Sequence, residues 1–269
     1  MKDIHIGLLG LGNIGKGVYR ILETNKNPIQ NHIGANLKIQ KILVRDIHKN
    51  RDIDVPQELL TEDAYEIIDD PEIDMIVEVL GGIHPPYEYI KKSLQNKKHV
   101  VTANKAVIAT HGEELLKIAK ENGVALRYEA SVGGGIPIIN TLTQSLAANQ
   151  IDEIVGIING TTNYILTQME ESGMDFDDAL KLAQQKGYAE ADPTSDIEGE
   201  DVAFKLSILI STAFGIQIPP ESIPRAGISQ ISKQDIEYAA HLGYKIKLLA
   251  VAKKQDNNFE FYVHPTLIP

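Results

Sequence analysis

Residues His5–Leu9 form a short apolar run, and Gly10-Leu11-Gly12-Asn13-Ile14-Gly15 follows it without a break. Behind the glycines, Val18, Ile21 and Leu22 recur at helical spacing. Strand, G-x-G-x-x-G and helix in that order constrain the chain more than any other feature. Gly10 suits the tight turn and Gly12 leaves room for close approach of a ligand. Gly15 lets the helix pack tightly on the strand, and the helix-start amides are placed to meet phosphates. The pattern predicts dinucleotide binding; the bland alternative is a structural glycine turn.

The alternation continues. Strand patterns over 37–44, 74–82, 99–103 and 124–130 are separated by helical stretches near Tyr87–Gln95 and Glu113–Asn122. Strands alternating with helices predict a doubly wound parallel sheet of Rossmann type over residues 1–130, with ligands outside the carboxyl ends of the strands. Those ends carry Gly10, Arg45, Gly81-Gly82, Asn104-Lys105 and Glu129. The second strand ends Leu43-Val44-Arg45-Asp46, with Lys49 and Arg51 close behind. Arg45 suits a 2′-phosphate, whereas Asp46 would suit the ribose hydroxyls of NAD. Because the arginine comes first and further cations follow, NADP(H) is expected over NAD(H). Lys105 is a candidate for the cofactor cleft, or else a solvated loop cation.

Beyond Ala130 the pattern loses its regularity, which predicts an α+β substrate or dimerisation domain with a mostly antiparallel or mixed sheet over 131–269. Ser131–Gly135 is either a ligand-binding turn or a crossover between domains, and the sequence favours the crossover. Pro137 is placed to open a helix running through Leu146. Residues 151–159 read as a strand, and Thr161, Thr162 and Asn163 beyond it either bind substrate or cap a helix over Tyr164–Glu171. Residues 176–187 read as an amphipathic helix. Two final strands flank a turn at Gln255–Asn258, a hairpin pattern.

Chemistry concentrates between Gly187 and Gly215. A loop rich in carboxylates (Glu190, Asp192, Asp196, Glu198, Glu200, Asp201) runs into an apolar helix bearing one cation, Lys205. Asp201 and Lys205 are four apart and share a helix face. Val202, Ala203, Leu206, Leu209 and Ile210 make that helix too apolar for a surface element. An amine so placed is expected to be poorly solvated and suited to proton transfer. The alternative is an ordinary surface ion pair.

Composition removes whole classes. The 269 residues carry a net charge of −11 and no cysteine. No nucleic-acid partner is expected, since phosphate backbones need clustered basic surface. Thiolate metal sites, disulfides and cysteine nucleophiles are excluded. No apolar run approaches the roughly 18–20 residues of a membrane span, and no signal peptide is evident. A cytoplasmic protein acting on a small molecule is expected.

Five segments, GLGNIG (10–15), TANK (102–105), YEASVGGGIPII (128–139), GIINGTTNYIL (156–166) and GYAEADPTSDIEGEDVAFK (187–205), together resemble the homoserine dehydrogenase family. These enzymes interconvert aspartate 4-semialdehyde and homoserine with a nicotinamide cofactor, in threonine and methionine biosynthesis. The resemblance implies Lys205 as proton donor and Lys105 as the second lysine of the reaction centre. Glu190 and Asp201 would hold the substrate's amino end. Asn13 and Ile14 would contact the pyrophosphate, and Gly187 the cofactor. It further implies a sodium or potassium ion held by main-chain oxygens of Glu129, Val132, Gly134 and Ile136, and a homodimer. The family's catalytic region continues beyond His264–Pro269 with another glycine-rich segment, so an incomplete cofactor pocket and reduced activity are expected of this chain. No aspartate kinase portion is expected before it and no regulatory domain after it. Two rival readings remain: another two-domain NAD(P)-dependent oxidoreductase, and a non-catalytic nucleotide sensor.

Overall fold

The computed structural model describes residues 2–256 and 258–269. The chain forms two compact units, Met1–Gly135 and Ile136–Pro269.

In the first unit the elements run β1 (Lys2–Leu9), α1 (Asn13–Thr24), α2 (Lys26–Ile33), β2 (Ala35–Leu43), β3 (Leu60–Thr61), α3 (Tyr65–Ile68) and β4 (Met75–Glu78). They continue α4 (Pro86–Gln95), β5 (His99–Thr102), α5 (Lys105–Glu121) and β6 (Leu126–Arg127). The strands align in the order β3-β2-β1-β4-β5-β6, all parallel. This is the doubly wound order, with its reversal at β1 and β4. Ile6, Leu8, Leu9, Ile42, Ile76 and Val100 are fully buried, as expected of strands covered on both faces. Leu11 and Tyr19 pack on one face of the sheet with Ile6, Leu8 and Val77.

The second unit contains β7 (Glu153–Gly156), α6 (Gly160–Ser172), α7 (Phe176–Gln185), α8 (Thr194–Ile197), α9 (Glu200–Phe214), α10 (Lys233–His241), β8 (Lys245–Gln255) and β9 (Asn258–Ile268). Its sheet, β7-β8-β9, is antiparallel throughout. Ile165, Leu166, Val202, Leu206 and Ile210 pack with Leu248, Ala250 and Ala252 into one core. Glycines in the left-handed conformation bound α9, Gly199 at φ 76° and Gly215 at φ 69°. Glu200 and Asp201 occupy its first turn, where the helix dipole favours negative charge.

Several boundaries differ from the sequence expectation. The helix expected from Glu113 starts at Lys105, because the Asn104 side chain accepts from Val107 N at 3.2 Å and caps it. Lys105 therefore opens a helix. The helix expected from Tyr164 starts at Gly160, capped by Asn159, so Thr161–Asn163 lie in its first turn. The helix expected over 137–146 begins at Ile139 and runs as a π-helical stretch over Thr141–Ser145. There Thr141 and Thr143 donate their hydroxyls to the carbonyls of Pro137 and Ile139, the back-bonding that weakens regular helix. The turn expected at Gln255–Asn258 includes Asn257, which lies outside the described residues.

Candidate active site

In the first unit the glycine fingerprint sits between β1 and α1. Gly10 has φ 109°, open to glycine and strained for other residues. A Cβ on Gly15 would lie 2.1 Å from the Gly10 carbonyl oxygen, so α1 packs as close to the end of β1 as a backbone allows. A Cβ on Gly12 would meet nothing within 4 Å, and Gly12, Asn13 and Ile14 are exposed. The first amides of α1 thus border open space, a cradle that fits a pyrophosphate. Gly81 (φ 123°) is likewise exposed and open beyond the end of β4.

Arg45 lies exposed two residues beyond β2, and its guanidinium makes no hydrogen bond among the described residues. Asp46, by contrast, accepts from His48 N at 2.8 Å through its carboxylate. Arg51 is tied back to the carbonyls of Asp46 and Lys49. Of these charged groups, Arg45 is the one presented to solvent without a bond to its own loop.

In the second unit α9 and the junction from β7 to α6 build a polar cluster. Asp201 is 3% exposed. Its Oδ2 accepts from Lys205 Nζ at 2.6 Å and from Asn159 Nδ2 at 2.8 Å. Lys205 also donates to the Ile158 carbonyl at 2.9 Å, and its side chain is 19% exposed. Two of the three ammonium hydrogens are thereby committed. The pair is therefore not a solvated surface pair: it is inside the protein, with the ammonium at the boundary.

Asn159, absent from the sequence expectation, is the hub. It donates to Asp196 Oδ1 at 2.7 Å as well as to Asp201, while its Oδ1 accepts from Thr162 N at 2.8 Å. The only sequence signal for it is an asparagine at a strand-to-helix junction, which reads as a cap. Thr161 Oγ1 donates to the Tyr188 carbonyl at 2.7 Å and lies 3.1 Å from Asp196 Oδ2. Its hydroxyl is thus engaged in fixing the loop after α7. Gln184 Nε2 donates to the Glu190 carbonyl at 3.1 Å, and Tyr188 stacks on Tyr164 with ring centroids 4.5 Å apart. These contacts hold an exposed Glu190 and the positive-φ Gly187 on a pinned loop. An acid cluster facing an oriented ammonium can bind a cationic ligand group and pass a proton to an adjacent oxygen.

Comparison with known proteins gives this arrangement its context. Residues 137–269 match the homoserine dehydrogenase family, and residues 10–129 match the homoserine dehydrogenase NAD-binding domain. A solved structure from Archaeoglobus fulgidus carrying the same family assignment is 34% identical with a TM-score of 0.88, and the chain covers 84% of it. The chain belongs to the homoserine dehydrogenase family. A homoserine dehydrogenase of Bacillus subtilis is 45% identical over all 269 residues, and the chain spans 62% of its length. The solved homoserine dehydrogenase of Thiobacillus denitrificans is 46% identical with a TM-score of 0.92; the chain is covered completely and again spans 62% of that protein. In this homoserine dehydrogenase-family chain, then, the Rossmann-type unit is a nicotinamide-dinucleotide domain.

Among the described residues no group of three or more His, Cys, Asp or Glu side chains is placed to hold a metal, and no helix is long and apolar enough to cross a membrane.

Proposed function

We propose that this chain carries the homoserine dehydrogenase reaction, the reversible reduction of L-aspartate 4-semialdehyde to L-homoserine with NADPH. The observation that carries the reading is the Asp201–Lys205 pair, its carboxylate buried and held by Asn159, its ammonium at the boundary with one hydrogen available. When bound, the reduced nicotinamide supplies the hydride for the aldehyde carbon. Lys205 donates the proton to the aldehyde oxygen and balances the charge that develops there. Asp201 orients that ammonium and contributes negative charge toward the substrate's amino end. Glu190, exposed on its pinned loop, supplies a further carboxylate for the α-ammonium. Thr161 fixes this loop, and Gly187 lends it the backbone freedom to approach the cofactor. Lys105, at the first position of α5, is the second lysine of the reaction. Loss of reduced-nicotinamide absorbance on adding aspartate 4-semialdehyde, with homoserine driving the reverse, tests the reading. Cofactor binding without turnover in either direction would favour a nucleotide sensor.

The cofactor contacts are assigned to Gly10, Gly12, Asn13, Ile14, Gly15, Gly81 and Lys105. Gly15→Ala forces a methyl group against backbone, so it is expected to cost about 1–3 kcal/mol of stability. It should also weaken NADPH binding about tenfold or more. Calorimetric melting together with nicotinamide fluorescence checks both effects.

Arg45 is assigned to the 2′-phosphate, supported by its unbonded guanidinium beside an Asp46 carboxylate held in its own turn. Arg45→Ala is expected to raise KM for NADPH about 10–100-fold, as loss of a charge-assisted bond does, with KM for NADH little changed. A preference unmoved by the substitution removes Arg45 from this role.

A monovalent cation is assigned to main-chain oxygens of Glu129, Val132, Gly134 and Ile136. Gly133 (φ 79°) and Gly134 (φ 58°) turn the chain back there. The buried Ser131 hydroxyl beside them has no hydrogen-bond partner, an orphaned oxygen that fits a hard cation. A homodimer completes the proposal, supported by exposed Val155 and Ile157 on and beside the edge strand β7.

A further inference from the structure

Glu78 ends β4 at 0% exposure, and among the described residues no cation is bonded to it. Its Oε1 accepts from Leu80 N at 2.8 Å and its Oε2 from Thr102 Oγ1 at 2.6 Å. Thr102 ends β5 directly beside it, and the same hydroxyl oxygen accepts from Asn104 N at 2.9 Å. Asn104 caps α5 through Oδ1, and its Nδ2 donates to the Gly82 carbonyl at 2.8 Å. From Gly82 the backbone returns through Gly81 to Leu80. The circuit is closed.

We propose that Glu78 is a positioning residue for the nicotinamide cofactor. Through the ring Glu78–Thr102–Asn104–Gly82 it locks the Leu80–Gly82 loop against the first turn of α5, fixing the exposed Gly81 backbone and Lys105 with respect to one another.

The chemistry of the position supports this. Two donors from two different elements converge on Glu78, and a carboxyl group accepts at both oxygens. Burial pushes its carboxyl above the usual carboxylate range, against the opposing effect of the bonds from Thr102 and Leu80. An apolar residue would fill the same volume without that cost. What it would not do is hold a loop whose Gly81 and Gly82, at φ 123° and 76°, have no side chains to anchor it. The site of the ring also matters, since strand carboxyl ends next to the order reversal are where ligands of this architecture bind.

The inference rests on the dehydrogenase reading only for the identity of the cofactor. Its test is NADPH affinity by nicotinamide fluorescence in Glu78→Leu, Thr102→Val, their combination and Glu78→Gln, each alongside a thermal melt. Glu78→Leu and Thr102→Val are each expected to weaken binding about tenfold, the scale of one buried hydrogen-bond network lost. The double variant should be no worse than the worse single, within about twofold, because both cut the same ring. Glu78→Gln keeps an acceptor for Leu80 and turns Thr102 into an acceptor, so it should stay within about threefold of the parent. Should Glu78→Leu fail to fold, Thr102→Val, which is nearly isosteric, carries the comparison. Parental affinity in the folded Leu or Val variants, or losses that simply add in the double, would overturn the proposal. A parent that binds NADPH but reduces no semialdehyde defeats the activity reading alone, and the affinity comparison still judges Glu78. A parent that binds no NADPH defeats both.

Discussion

Lys205→Ala is expected to lower turnover by about 10²–10⁴-fold, the range associated with loss of a positioned general acid, while NADPH affinity stays near that of the parent. The separation follows from placement. Lys205 belongs to α9 of the second unit, and its ammonium is held by Asp201 and the Ile158 carbonyl. The glycine cradle at the start of α1 belongs to the first unit. The substitution also leaves a buried carboxylate with one fewer donor, so a stability loss of about 1–3 kcal/mol is expected. A melt must therefore accompany the kinetics. Turnover corrected for folded fraction should fall in kcat and in kcat/KM together, as for an interaction made in the transition state. Unchanged turnover would remove Lys205 from the chemistry and leave the pair as a fold element.

That pair was legible in the sequence because two independent patterns met on it. The four-residue spacing put Asp201 and Lys205 on one helix face, and the surrounding Val202, Leu206 and Ile210 required that face to be interior. The same kind of agreement made the sheet readable: glycines after an apolar run fixed β1 and α1, and alternation supplied β2, β4 and β5. Where only one weak pattern was present, the reading failed. Leu60–Thr61 forms β3 with two residues, set by pairing with Ile42 and Leu43 and invisible to periodicity. Lys26–Ile33 forms α2 with Pro28 in its first turn and no buried residue to mark a core-facing stripe. The early start of α5 depends on a cap by Asn104, whose amide is also claimed by Gly82. Such caps act through side-chain geometry, which spacing alone does not encode. Asn159 was missed for the same reason: an asparagine before Gly-Thr-Thr reads as a cap. Its partners Asp196 and Asp201 lie 37 and 42 residues away, beyond any local pattern.

The strongest consequence of that long-range bridge is the expected behaviour of Asn159→Asp. The change alters one group and barely alters shape. Oδ1 keeps its bonds from Thr162 N and Thr162 Oγ1, so the cap on α6 survives. The other edge changes from an amine donating to two carboxylates into an oxygen facing them at under 3 Å. Two bonds to charged acceptors are lost, each worth about 1.5–3 kcal/mol, giving a destabilisation of roughly 3–6 kcal/mol near neutral pH. The sign with pH follows from the neighbours. Carboxylates on both sides raise the introduced carboxyl's pKa in the folded state above its unfolded value of about 3.9. The folded state then holds that proton more tightly than the unfolded chain does, so the penalty grows as pH rises from the unfolded value through the folded one. Below the unfolded value the group is neutral in both states and the penalty is smallest. Urea denaturation of parent and variant at several pH values measures the difference directly. Asn159→Ser provides the control, because its hydroxyl can still cap α6 but cannot bridge two carboxylates. It should lose part of the stability with no matching dependence on pH. If Asn159→Asp matched the parent at every pH, the amide would not be what keeps Asp196 and Asp201 together, and the orientation of Lys205 would need another source.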